Sequence, residues 1–150
     1  MGDPKKQRKR YSTPKQLFDF SRIDEEKNLT KKYGLKNRRE IWIAAAKLKK
    51  FRDQAKKLIL KPEQQNDFIL RLHKLGLIEE KATIDDVLAL DREKILSRRF
   101  QTVVFEKKVA KSIKEARQLI AHRKIKIGDK VCDVPGRLIT IEEENQIKIK

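Results

Sequence analysis

Apolar positions follow two rhythms along this chain. Up to about residue 120 they recur in steps of three and four; beyond residue 124 several alternate with polar residues. Ile41, Ala44, Leu48, Phe51, Ala55 and Leu58 form one stripe, which predicts a long helix with a single buried face. Asn37, with Glu40 three residues on, reads as its capping box. A shorter helix is predicted over 21–33, stopped by Gly34 as a left-handed cap. Pro62 opens the next, with Phe68, Leu72 and Leu75 apolar and Gly76 closing it. Thr83 and Asp86 cap a short helix through Leu88, and Asp91 begins another. Val87, Leu88, Leu90, Ile95 and Leu96 should bind these pieces together.

From Arg98 the pattern predicts two more amphipathic helices. In the first, Leu96, Phe100, Val103 and Val104 face inward, which places Arg98, Gln101 and Thr102 outside. Ser112 and Glu115 form a capping box for the second, with Ile113, Ala116, Leu119 and Ile120 buried and Lys114, Arg117 and Gln118 opposite. I-K-I, Gly128-Asp129 and K-V then read as a hairpin, and Pro135-Gly136 as a second turn. R-L-I-T-I (137–141) and Q-I-K-I-K (146–150) read as further strands. The expected class is α+β: a mostly helical N-terminal part, then a small domain of two helices on a short, mostly antiparallel sheet. The expected boundaries are a basic, extended arm at 1–16, a helical domain at 17–97 and the small α/β domain at 98–150.

Charge gives this outline a partner. The chain carries 39 Lys and Arg against 22 Asp and Glu, a net charge of +17, and only 38% of its residues are hydrophobic. Such an excess points to a polyanion, nucleic acid before a membrane surface. A thermophile's charged surface adds Glu along with Lys and keeps the net charge modest. The excess sits at the two ends: net +13 over 1–61, −3 over 62–97 and +7 over 98–150. Residues 1–16 offer almost nothing to bury and are expected to order only on a polyanion; a nuclear-localisation signal is the competing reading of the same run. One cysteine, Cys132, excludes an intrachain disulfide, and two distant histidines with it make no metal site. No signal peptide and no apolar run of membrane length is visible, so a cytoplasmic location without a membrane partner is expected.

The candidate polyanion contacts fall in three groups. The arm supplies Lys5, Lys6, Arg8, Lys9 and Arg10, and the long helix and its start supply Arg38, Arg39, Lys47, Lys50, Arg52 and Lys56. The C-terminal window supplies Arg98, Arg99, Gln101, Thr102, Lys107, Lys108, Lys111, Ser112, Lys114, Arg117, Gln118, His122, Arg123, Lys124 and Lys126. Arg makes bidentate phosphate contacts, hydroxyl and amide groups reach phosphate, ribose or base edges, and helix N-termini offer free N–H groups. Aromatic residues are 6% of the chain and read mostly as core, Trp42 included. That argues against a reader of stacked single strands and for recognition of folded RNA by shape and backbone. His73 reads as a surface residue. Asp85-Asp86 and the run Glu142, Glu143, Glu144 read as caps and turns, because no partner group accompanies them. No enzyme activity and no cofactor are expected.

R-R-F-Q-T-V-V-F, then A-K-S-I-K-E-A-R-Q-L-I-A-H, I-K-I-G-D-K-V and V-P-G together resemble the S-four RNA-binding domain. With M-G-D-P-K-K-Q-R-K-R-Y, K-K-Y-G-L-K-N-R-R-E-I-W-I-A and L-H-K-L-G-L-I in front, nearly the whole chain resembles the archaeal type of the small-ribosomal-subunit protein S-four family. The Cys-rich N-terminal metal motif that the bacterial branch can carry is absent. The resemblance implies a non-enzymatic protein without a required cofactor. It implies binding to 16S-type ribosomal RNA early in assembly, at a multi-helix junction of the subunit body. It also implies neighbouring small-subunit proteins, the S-five family foremost, and messenger RNA at the entry path. Matching motifs carry the RNA-binding role to Arg98, Arg99, Gln101, Thr102, Lys111, Ser112, Arg117, Gln118 and His122. The chain departs from many relatives at Lys108, where they have Gly, at Arg123-Lys124, where they have Gly-His, and at Arg137, where an aromatic is usual. A missing Gly reduces backbone freedom at both loops. A non-ribosomal RNA binder of the same domain type, serving ribosome rescue or RNA modification, is the alternative.

Overall fold

A computed structural model describes residues 2, 9, 11–80 and 82–149. Helix α1 spans Phe20–Lys32, and the Asp19 carboxylate caps it by accepting from the Arg22 N–H. Gly34 follows at φ 55° and turns the chain into α2, Arg39–Leu58. The predicted stripe of α2 holds: Ile41, Ala44, Leu48, Ala55 and Leu58 are buried, and Phe51 packs against the same core. Its predicted capping box does not form. Arg38 is the capping residue and its side chain makes no cap bond, while Glu40 accepts from the Lys36 N–H at 3.3 Å rather than from Asn37 and also pairs with the arginines described below.

Pro62–Gln64 makes one 3-10 turn that runs into α3, Gln65–Lys74, and Gly76 ends it at φ 67°. Helix α4, Ile84–Leu88, starts on the predicted Thr83–Asp86 capping box, and α5, Arg92–Ser97, starts at Asp91. These elements enclose one apolar core, with Leu72, Val87, Leu90, Ile95 and Leu96 at its centre.

The C-terminal part has its own core. Helix α6, Phe100–Glu106, packs on α7, Ile113–Ala121, and both cover strand β1, Ile125–Ile127. Strand β2, Lys130–Val131, and strand β3, Ile147–Ile149, flank β1 antiparallel in the order β2-β1-β3. Gly128 makes the predicted hairpin turn at φ 57°. Phe100, Ala116, Ile120, Ile125 and Ile139 are fully buried here. The whole is α+β.

Three local expectations are corrected. R-L-I-T-I is not a strand: Leu138 makes a single bridge to Arg99, and Ile141–Asn145 is a helix, α8. Thr140 and Glu143 form a full capping box there, which outweighs the β-branched composition. At α7 the Ser112 hydroxyl accepts from the Glu115 N–H, but Glu115 returns its bond to the Lys111 N–H, so the box is skewed by one residue. Gln101 and Thr102 are not on an outer face: they are 1% and 5% exposed.

Candidate nucleic-acid interface

The seam between the two cores is built from residues expected to touch RNA. Glu40 is the only acid between Glu26 and Asp53. Its carboxylate accepts from Arg117 Nη2 at 2.9 Å, from Arg117 Nη1 at 3.2 Å and from Arg99 Nη2. Burial pushes the Glu40 carboxyl up, but the bonds from Arg117 and Arg99 overcome this and hold it below the usual carboxylate range. Gln101 lies beneath. Its amide group donates toward the carbonyls of Gly34 at 3.0 Å, Ile113 at 3.1 Å and Tyr33 at 3.3 Å, and its oxygen accepts from Arg117 at 3.1 Å. The Thr102 hydroxyl donates to the Leu96 carbonyl at 2.9 Å.

Arg98 is equally committed. Its guanidinium donates to the carbonyls of Leu75 and Ile139 and to the Glu144 carboxylate at 2.8 Å. The N–H groups of Phe100 and Gln101, which a free helix N-terminus would offer to phosphate, are taken by the carbonyls of Arg137 and Pro135. Arg52 reaches the Leu90 carbonyl at 2.6 Å and clamps α2 to the start of α5. Arg52, Arg98, Arg99, Gln101, Thr102 and Arg117 are therefore framework as well as cation or amide.

The remaining cations are placed differently. Lys107, Lys108 and Lys111 are exposed in the loop between α6 and α7; Lys107 reaches Asn145 at 3.2 Å. Ser112, Lys114 and Gln118 are exposed along α7, and His122, Arg123 and Lys124 at its end. Arg123 pairs with Asp133 at 3.2 Å, yet its side chain is 72% exposed. Lys126 is half-buried on β1. Arg38 and Arg39 are exposed at the start of α2, directly before Glu40, and Arg38 approaches the Glu26 carboxylate at 4.0 Å. Lys47 lines a groove with Arg99 and Arg117, while Lys50 lines a separate depression with Lys9, Tyr11 and Trp42. Lys56 is exposed near the end of α2. Lys5, Lys6, Arg8 and Arg10 lie outside the described residues.

Lys108 and Arg123 both sit at φ 57°, a region that side chains other than Gly rarely enter. Here they end α6 and α7 as glycines would, and each puts a cation where a helix presents free carbonyls. Trp42 is half-buried and donates to the buried Glu26 carboxylate at 3.0 Å, the packing role expected of it. Among the described residues no helix is long and apolar enough to cross a membrane.

Sequence reasoning missed Glu40 as the hub of the seam. The available signal was its isolation, a single acid in a long basic run. It also placed all of Arg98, Arg99 and Arg117 in one class with the exposed lysines, because spacing alone does not report an ion-pair partner 59 or 77 residues away.

Two short helices on a three-stranded sheet, with cations at both loops, are the layout of the S4 domain, and the S4 domain family matches residues 98–145. The whole chain is 44% identical over 98% of its length to small ribosomal subunit protein uS4 of Ignicoccus hospitalis, covering 92% of that protein. It is 44% identical to uS4 of Thermoplasma acidophilum and 42% to uS4 of Saccharolobus solfataricus, over 78% and 84% of those proteins. The chain belongs to the small ribosomal subunit protein uS4 family, and its relatives here are archaeal. That similarity runs through both cores, so no part of residues 1–97 stands apart as a catalytic half, and the non-ribosomal alternative falls away.

Proposed function

We propose that this protein is a structural component of the small ribosomal subunit that binds 16S-type ribosomal RNA through its S4 domain. The supporting observation is a division of labour among basic residues. Arg98, Arg99 and Arg117 are consumed in holding the two cores together, while Lys108, Lys111, Lys114, Gln118, His122, Arg123 and Lys124 stand outside with few protein partners. A rigid body with exposed cations along α7 and at both its ends suits RNA recognition by shape and phosphate position. In this reading the units are an arm at 1–16, a helical domain at 17–97 and the RNA-binding domain at 98–150. The protein joins a multi-helix junction of the subunit body early in assembly. It lies near the messenger-RNA entry path, beside other small-subunit proteins such as the S-five family.

The test is equilibrium binding to a 16S-type body-junction RNA over a salt series. Affinity should fall steeply as salt rises. Replacing Lys108, Lys111, Lys114 and Lys124 together by Ala should flatten the slope by roughly one unit for each phosphate no longer neutralised. A folded variant with the wild-type slope would remove these residues from the interface. Arg99 and Arg117 are poor probes, since their loss damages the seam itself.

A further inference from the structure

Between α2 and the turn at 134–138 lies a groove of about 230 Å³. Its apolar walls include Ile43 and Val134, 37% and 55% exposed, and the half-buried Leu138. Lys47, Arg99 and Arg117 also line it, with the Glu40 carboxylate that the two arginines share. The Arg99 side chain is 8% exposed; its Nη2 bonds Glu40, but its Nη1 is buried without a hydrogen-bond partner. The Glu40 oxygens are already taken by Arg99, Arg117 and the Lys36 N–H. Lys47 has no carboxylate within ion-pair distance among the described residues. Burial, and then the charge of Arg99, draw its ammonium below the ordinary lysine range. A buried donor with nothing to donate to and an unpaired, half-buried ammonium beside it are both relieved by one thing: a group rich in acceptors.

We propose that this groove receives one unstacked guanine base of the bound RNA. The inference rests on the RNA-binding reading above and names what one part of that surface takes. A phosphodiester would bring a strongly hydrated charge against walls of Ile, Val and Leu and lose its water there. A purine has flat apolar faces that suit those walls. Guanine presents O6 and N7 on one edge, two acceptors to which Arg and Lys donate together. Adenine places an amino donor beside N7, opposite two cations that need acceptors. Extruded bases are what proteins read most specifically in folded RNA.

The experiment titrates the full-length, ¹⁵N-labelled protein with GMP, AMP and inorganic phosphate, following the backbone amides of Lys47, Val134 and Gly136. GMP should move these signals at concentrations about tenfold below AMP, and phosphate should leave them in place. Lys47→Met keeps the apolar stem and removes the donor, and should bring GMP down to the AMP response. Equal responses to GMP and AMP, or a response to phosphate alone, overturn the guanine assignment. Silence in the groove with all three probes overturns the site. If that silence comes from a protein that still binds the junction RNA with a steep salt slope, this inference fails and the ribosomal RNA reading stands.

Discussion

In the helical half, α1 and α3 stop on Gly34 and Gly76; in the C-terminal half, α6 and α7 stop on Lys108 and Arg123, in the same left-handed conformation. The hydrogen bonds are alike at all four ends. Leu35, Leu77, Val109 and Lys124 each donate back to the carbonyl five residues earlier: Thr30, Leu72, Val104 and Leu119. The backbone need is therefore the same and the residue differs. At Gly34 a side chain is excluded by more than φ, because a Cβ there would come within 2.7 Å of Ile113 Cγ2 and 3.1 Å of Gln101 Nε2. Lys108 and Arg123 are exposed, and nothing crowds them. The helical half uses glycine where the two cores press together. The C-terminal half accepts backbone strain where it gains a cation on its outer flank.

Replacing Glu40 tests the seam that makes the two halves one body. Glu40→Ala leaves Arg99 and Arg117 without their anion and should cost about 3–5 kcal/mol, read by urea or thermal denaturation. The same group sets a pH dependence. The folded carboxyl titrates below its unfolded range, so its contribution is fully present above the unfolded pKa and disappears as pH falls through the folded one. Glu40→Gln should lower stability at neutral pH and flatten the acid side of the stability curve. A curve parallel to wild type would show that the carboxylate does not stabilise the seam.

Gly34→Ala attacks the crowded stop. Strain at positive φ and the Ile113 contact together should cost about 2–4 kcal/mol. A loss below about 1 kcal/mol would mean that α7 yields easily and the halves are not pressed together.

The smallest effect has the opposite sign. Lys108→Gly and Arg123→Gly should each stabilise the protein by about 1 kcal/mol, by removing left-handed strain. Each should also weaken RNA binding and lower the salt slope. Stabilisation without any change in binding would show that these two cations serve no contact.

Much of this architecture is legible in the chain because helices with one buried face write that face into their spacing. Ile41 to Leu58 is the plainest case. The capping pairs Thr83–Asp86 and Thr140–Glu143 are equally local, although the second was masked by the run of branched residues before it. Gln101 and Thr102 were misplaced for a physical reason. The first five residues of α6 are buried on every face, and the groups that satisfy these two side chains are mostly backbone carbonyls from other segments. Periodicity reports which face is apolar; it carries no sign of a polar face met by distant polar groups. The same blindness merged structural arginines with exposed lysines.

The Gln101 amide also ties together stretches made at very different times during synthesis. The turn at Tyr33 and Gly34 arises from contacts within its own stretch of chain, and its carbonyls must wait for a residue translated 67 positions later. Until then water can hold them, because a carbonyl at a nascent surface is easily hydrated. Truncation should therefore harm both halves: a chain ending before Arg98 loses the packing of Ile113 on Gly34 and of Leu138 on its core, and one beginning there leaves Arg99, Gln101 and Arg117 without the groups that bind them.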